Sequence, residues 1–322
     1  MDKDLSNKIN TLYSENEYFR DFNGYILIKE KDEILYQQNF GYADYDTKKV
    51  ATENTMFNIG SITKQFTAMC VLQLAQKGVL SIDDCIGKYI TDFNCGATIR
   101  IRDMLNMISG IPEYWCQPEW IEQEGTTTED TYRFIKTLTD YNPPHKKFQY
   151  CNSNYIVLGK LVEHMSGLTL SAYMEEYIFK PLGMNRTTLL SPDMNFSDLA
   201  TGYKSPRISK LEKATPIYSY AGAGGIFSSA ADLCKWNDAL STETLLSKDL
   251  LNEMFNPILS GYAMGWFING HKAHHGGDAP GFSTNLIRFD KLSLLILLLC
   301  NFEGCKESNI SHYTNLVEAL VI

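Results

Sequence analysis

The sequence predicts a mixed α/β (α+β) fold in which both chain ends build one lobe and the middle of the chain builds a mostly helical one. Three observations predict it: strand-like runs lie near both ends, helical spacing dominates between them, and the composition is that of a packed globular protein. The 322 residues are 44% hydrophobic and 21% charged, so no long stretch of disorder is expected. A chain of this length buries roughly 75% of its unfolded surface and needs no crosslinks to hold a core. The lobes are expected at about residues 1–58 with 250–322 and at 59–249, within one domain of residues 1–322.

From the N-terminus, Leu5, Ile9, Leu12 and Phe19 recur at helical spacing between Asp4 and Phe22. "GYILIKEKDEILYQQNFGYAD" reads as a β-hairpin whose charged tip is Lys29 to Glu33. Between Ile62 and Lys77, the residues Ile62, Phe66, Met69, Val71, Leu72 and Leu74 surround most of a helix, which puts it in the interior; Gly78 can end it. From about Ser81 to Thr201 helices dominate, joined by segments such as "SGIPEYWCQPEW". The clearest is "SNYIVLGKLVEHMSG", with Ser153 as N-cap and Gly167 as its stop. "AGAGGIFSSAADLCKW" is a further loop-to-helix entry. Strands are expected at Tyr262 to Ile268, Phe282 to Phe289 and Leu292 to Cys300, and a helix from Ser308 to Leu320 closes the fold. No internal repeat is present.

The formal net charge of -9, without a cluster of Lys and Arg, excludes a chain built to track a phosphate backbone, so no nucleic-acid partner is expected. The opening "MDKDLSNKIN" lacks an apolar core of a secretory signal, and "LSLLILLLC" is too short to cross a bilayer as a helix. No membrane span is expected. The chain as it stands reads as cytoplasmic, and as exported if a leader has been cut from it. None of the eight cysteines forms a C-x-x-C pair, which favours reduced thiols over disulfides.

"FNIGSITKQFTA" holds Ser61 and Lys64 at i and i+3, on one face of a helix start, so the amine can reach the hydroxyl. A serine hydroxyl is a poor nucleophile until a neighbouring base takes its proton. S-x-x-K is also a common accident of a serine near a cap and a lysine in water. Here it occurs once, in an otherwise apolar helix where desolvation lowers the lysine pKa and makes it a better base. "FQYCNSNY" places Tyr150 and Asn152 directly before a helix, and a phenol near a cation can ionise below its free value of about 10. Tyr150 reads equally as a core tyrosine. Tyr313 and Asn315 repeat the Y-x-N spacing inside the last helix and read as structural.

"HHGGDAPGF" is the third element, a glycine-rich connection between strands. Its glycines let backbone approach a ligand, an N–H after them can donate to an oxyanion, and His275 can hydrogen-bond the tyrosine. The alternative is a tight hairpin turn. The histidines of "HKAHH" match no metal-ligand spacing, so no metal is expected.

The order Ser61-x-x-Lys64, Tyr150-x-Asn152, His275-Gly276-Gly277 resembles the serine β-lactamase and penicillin-binding-protein family, in the class C-like branch that includes related esterases and D-amino-acid peptidases. "GVLSIDDCIGKYI", "TIRIRDMLNMISGIPEY", "PLGMNRT" and "AGAGGIFSSAADL" are also similar to family segments, so the resemblance runs from about residue 20 to the C-terminus. It implies a β-lactamase/transpeptidase-like catalytic domain: an antiparallel sheet flanked by helices, a mostly helical lobe, and an active site between them. Ser61 would be the acylated nucleophile, Lys64 and Tyr150 would move its proton and later activate water, and Asn152 would hold Lys64 and the substrate amide. Gly276 and Gly277 would lie along the substrate with His275, and the oxyanion hole would use the backbone N–H groups of Ser61 and Asp278. No metal or organic cofactor is implied.

His275 stands where β-lactamases of this branch have lysine, and Asp278 where the family often has a small neutral residue. Both departures argue for esters or amides without a free carboxylate, with β-lactam hydrolysis as a side activity. Tyr114, Trp115 and Trp120 would line an acyl pocket, or sit at the surface or in the core. The expected function is therefore a serine hydrolase acting through an acyl-enzyme on esters, amides or D-amino-acid peptides. Its alternative is a penicillin-binding or sensing protein on the same fold that does not hydrolyse. The partner is a small-molecule or peptide substrate.

Overall fold

A computed structural model describes residues 2–194, 196–204, 211–304 and 309–322. Among them the strands are β1 (Gly24–Glu30), β2 (Glu33–Phe40), β3 (Met56–Asn58), β4 (Thr187–Leu189), β5 (Ile226–Ser229), β6 (Tyr262–Ala263), β7 (Trp266–Asn269), β8 (Lys272–Ala279), β9 (Phe282–Phe289) and β10 (Leu294–Cys300). The helices are α1 (Lys3–Glu15), α2 (Thr63–Gln76), α3 (Ile101–Leu105), α4 (Thr128–Thr137), α5 (Asn152–Ser166), α6 (Leu170–Met174), α7 (Lys180–Leu182), α8 (Ala230–Ala239), α9 (Lys248–Met254) and α10 (Ile310–Val321). None is long and apolar enough to cross a membrane.

One antiparallel sheet runs in the order β2-β1-β10-β9-β8-β7-β6, so the N-terminal hairpin joins the C-terminal strands through the β1–β10 pairing and both chain ends build one sheet. A small sheet, β3-β5-β4, lies beside it. The apolar run of β10 is explained by its central position. Leu295, Leu297 and Leu299 enter the large core shared with α2, α5 and α8, while Leu294, Ile296 and Leu298 enter a second core under α1 and α10. Both faces of the strand are dry, so alternation with polar residues is absent. Leu297→Ala is expected to destabilise the fold by about 2–5 kcal/mol, the range for a buried leucine that leaves a cavity, read from a denaturant midpoint.

Several boundaries differ from expectation for local reasons. α1 stops at Glu15 because the Asn16 side chain accepts from the N–H groups of Tyr18 and Phe19 and starts a short 3₁₀ turn instead. The expected strand Tyr262–Ile268 is a hairpin: Met264 and Gly265 both have positive φ, the requirement of a two-residue turn that reverses the chain. α5 is capped at Cys151, not Ser153, whose hydroxyl donates to Pro112 O at 2.7 Å and accepts from Tyr114 N at 3.0 Å. The third motif is not a glycine-rich loop. It lies within β8, and the turn falls later, at Pro280 and Gly281, between the paired residues Ala279 and Phe282. The expected helix start at Ser308, like Cys305, lies outside the described residues. The seven described cysteines are free thiols.

Candidate active site

Ser61 lies in the tight turn Gly60–Ile62 that leads into α2, and two backbone contacts wedge this turn against the sheet. A side chain on Gly277 would sit 1.9 Å from Ile59 O, and one on Gly60 would sit 2.7 Å from Asp278 N. The strand and the turn therefore touch backbone to backbone, with no room for a Cβ. Gly265, at the β6–β7 turn, closes on α2 in the same way, its missing Cβ lying 2.8 Å from Gln65 N. Gly277→Ala is expected to push the turn off β8 and lower kcat/KM by about 10²-fold, the cost of displacing a reacting group by roughly 1 Å, with the circular dichroism spectrum retained.

Lys64 has no solvent exposure, and its Nζ lies 2.9 Å from Ser61 Oγ, 2.7 Å from Asn152 Oδ1 and 2.7 Å from Ala223 O. Burial lowers its pKa to about 7, against the opposing pull of Glu113. A neutral amine has two N–H donors and one lone pair. The two pure acceptors, Asn152 Oδ1 and the Ala223 carbonyl, take the donors, and the lone pair is left for the Ser61 hydroxyl. Burial thus brings the neutral amine within reach of neutral pH.

Asn152 is held so that its oxygen faces the lysine. Its backbone N–H and its Nδ2 both donate to Glu113 Oε2, at 2.6 and 3.0 Å, and Tyr114 N donates to Oε1 at 3.1 Å. Glu113 is buried, which raises its pKa above the usual carboxylate range. Sequence reasoning missed this residue and the Ala223 carbonyl. The one available signal was an isolated carboxylate in the apolar run "SGIPEYW".

Tyr150 packs face to face on Phe267, and its ring centroid is 5.0 Å from Lys64 Nζ. The expectation that a cation draws the phenol below its free pKa is overturned. Burial raises it well above that value, and a hydrogen bond with Ser61 offsets only part of the rise. Tyr150 therefore stays a protonated phenol at neutral pH. His275 is 2% exposed, and its Nδ1 is 2.6 Å from Gly276 O, so Nδ1–H donates to that carbonyl. Nε2 faces Tyr262 Oη at 3.4 Å rather than Tyr150, which corrects the partner expected from the sequence. Burial, with Lys64 nearby, lowers the histidine pKa to about 3, so the ring is neutral. The Asp278 carboxylate accepts from Ser283 Oγ at 2.8 Å.

These groups border a cleft of about 600 Å³, with Ser61, Tyr150, Asn152 and Trp115 on one side and His275, Gly276 and Asp278 on the other. β7 pairs with β8 only as far as His274, so the β8 edge from His275 onward faces the cleft without a strand beside it. Of the three aromatics expected at an acyl pocket, only Trp115 lines the cleft; Tyr114 is buried and packs edge-on against Trp120. Asn315, expected to be purely structural, borders the cleft from α10, while Tyr313 is buried in the second core.

A serine hydroxyl and a phenol border one cleft, and a desolvated amine behind them reaches the hydroxyl, an arrangement with which a serine can be activated. The chain belongs to the Beta-lactamase family, whose profile matches residues 18–320. It is 28% identical over 324 residues to a penicillin-binding protein of Bacillus subtilis (strain 168), covering 92% of this chain and 71% of that protein. It is 27% identical to Protein flp of Staphylococcus aureus (strain MW2) over 87% of this chain, and it spans only 59% of the length of that relative. Its fold is that of D-amino acid amidase from Ochrobactrum anthropi SV3, with a TM-score of 0.85, 22% identity and 99% of both chains covered.

Proposed function

We propose that the protein is a serine hydrolase that forms an acyl-enzyme on Ser61 and hydrolyses it, acting on esters and on amides, D-amino-acid amides and peptides included, that carry no free carboxylate beside the scissile bond. The observation that carries this reading is the Lys64 Nζ, 2.9 Å from Ser61 Oγ and with its pKa brought to about 7 by burial. The neutral amine takes the Ser61 proton as Oγ attacks the carbonyl carbon. The backbone N–H groups of Ser61 and Asp278 receive the oxyanion. The proton returns from Lys64 through the Tyr150 phenol to the leaving oxygen or nitrogen. Water then enters and gives a proton to the same amine as its oxygen attacks the acyl carbon. The adduct collapses, the bond to Ser61 Oγ breaks, Oγ takes that proton back from Lys64, and the acid leaves.

Substrate choice follows from the charges. A neutral His275 offers no cation to a substrate carboxylate, and Lys272, the lysine that borders the cleft, is held by Glu318 at 2.5 Å. The edge of β8 from His275 onward can pair with an extended acyl chain, which favours amide and peptide substrates. β-Lactams, with their carboxylate, are expected to react slowly. The second reading is a protein that is acylated and keeps the adduct, in keeping with the name of its Bacillus subtilis relative.

The test mixes the protein with p-nitrophenyl esters, D-amino-acid amides and a chromogenic cephalosporin, following product release and intact mass together, with Ser61→Ala alongside. Ester or amide turnover that disappears in Ser61→Ala supports the proposal. Fast cephalosporin turnover would overturn the charge argument. A stable adduct on Ser61 without release would select the second reading.

A further inference from the structure

A second cavity, of about 230 Å³, lies at the Lys272 end of β8, away from Ser61. Its walls are apolar on one side, with Leu240, Leu251, Phe255 and Ile268, and Arg288 projects into it from β9. Arg288 is 6% exposed. Its Nη2 donates to Ser241 Oγ at 3.0 Å, its Nε is buried without a hydrogen-bond partner among the described residues, and its Cζ lies 4.9 Å from the Phe255 ring centroid. The nearest carboxylate, Asp290, is 3.9 Å away with a side chain 81% exposed. Asp238 also acts on it electrostatically but is bound at 2.7 and 2.5 Å by Lys29.

A guanidinium taken out of water needs a carboxylate or its equivalent at hydrogen-bond distance, or the desolvation cost stands uncompensated. The neighbouring cations have one: Lys29 has Asp238 and Lys272 has Glu318. Arg288 has a hydroxyl, a ring face and a distant, solvated carboxylate, and burial outweighs these, holding its pKa below the ordinary guanidinium value.

We infer that this cavity is a binding site for a small monocarboxylate with an apolar body, its carboxylate on Arg288 and its chain against Leu240, Leu251, Phe255 and Ile268. Lys272 also lines the cavity but is held by Glu318, so Arg288 is the cation of the lining left to neutralise a ligand. With Asp290 and Asp238 nearby it suits a single negative charge rather than phosphate or a dicarboxylate. The cavity has the size of a short aliphatic or a single-ring acid. The site shares the wall residue Lys272 with the cleft but none of Ser61, Lys64 or Tyr150, and the inference is independent of the chemistry proposed at Ser61.

The experiment titrates the full chain with sodium hexanoate and follows the methyl NMR signals of Leu240, Leu251 and Ile268, with hexanamide as the uncharged control. Hexanoate is expected to shift these methyls to saturation, with hexanamide at least about tenfold weaker because it lacks the charge that Arg288 desolvates. Arg288→Met should abolish the hexanoate shifts. Asp290→Asn removes an exposed competitor without touching the core, and should tighten hexanoate binding by about two- to tenfold. It serves as the deciding variant if Arg288→Met does not fold. Absence of saturable shifts, equal response to hexanamide, or binding unchanged in both folded variants would overturn the inference.

Discussion

Lys64→Met is expected to slow acylation of Ser61 by about 10³-fold, within the range that general-base removal costs, and Lys64→Arg by a similar factor. The pair separates two roles. Arginine keeps a positive charge but cannot be deprotonated in a protein, so it cannot accept the serine proton. If Lys64 served only as a cation beside the reacting groups, Lys64→Arg would retain much of the rate. Lys64 Nζ makes all three of its contacts inside the protein, to Ser61, Asn152 and the Ala223 carbonyl, so no exposed lysine can substitute for it. Single-turnover release of p-nitrophenol, with intact mass to count acylated chains, reads the effect.

Glu113→Ala is expected to lower kcat/KM by about 10²-fold and stability by about 2–4 kcal/mol. The carboxylate accepts from the backbone and side chain of Asn152 and from Tyr114 N, and alanine leaves the two Asn152 donors without that acceptor, while Tyr114 N keeps Ser153 Oγ. Asn152 is then free to turn its oxygen away from Lys64. Glu113→Gln keeps one acceptor oxygen and should fall between the two. Because Glu113 raises the Lys64 pKa, its removal should also move the acid limb of the pH–rate profile to lower pH. A purely structural Glu113 would change the denaturation midpoint and leave that limb in place.

The sequence carried the fold through residue types whose consequences are local. The apolar run of β10, the apolar circumference of α2 and the amphipathic spacing of α1 each act within a few residues, whereas the glycine that turns the chain after β6 was read through as strand. What it could not carry was the outcome of burial. The distance from Lys64 to Tyr150 suggests an easily ionised phenol, yet the apolar surroundings of Phe267 and Tyr262 reverse the sign. The partner of His275 was hidden for the same reason: β8 is a strand, so successive side chains alternate faces and the histidine turns towards Tyr262. Glu113 was invisible because its meaning depends on α5 arriving beside it, 39 residues further along the chain. Trp115 and Trp120 are close in sequence, yet only the first reaches the cleft.

The measurement to make first is the pH dependence of Ser61 acylation in single turnover, from about pH 5 to 10 so that it spans the free and buried lysine values. Only the neutral amine accepts the proton, so the rate should rise with pH and level off above an apparent pKa near 7, the value burial imposes on Lys64. A rate that keeps climbing to about pH 10, where an ordinary lysine titrates, or one that shows no acid limb, would mean that Lys64 is not the base that activates Ser61.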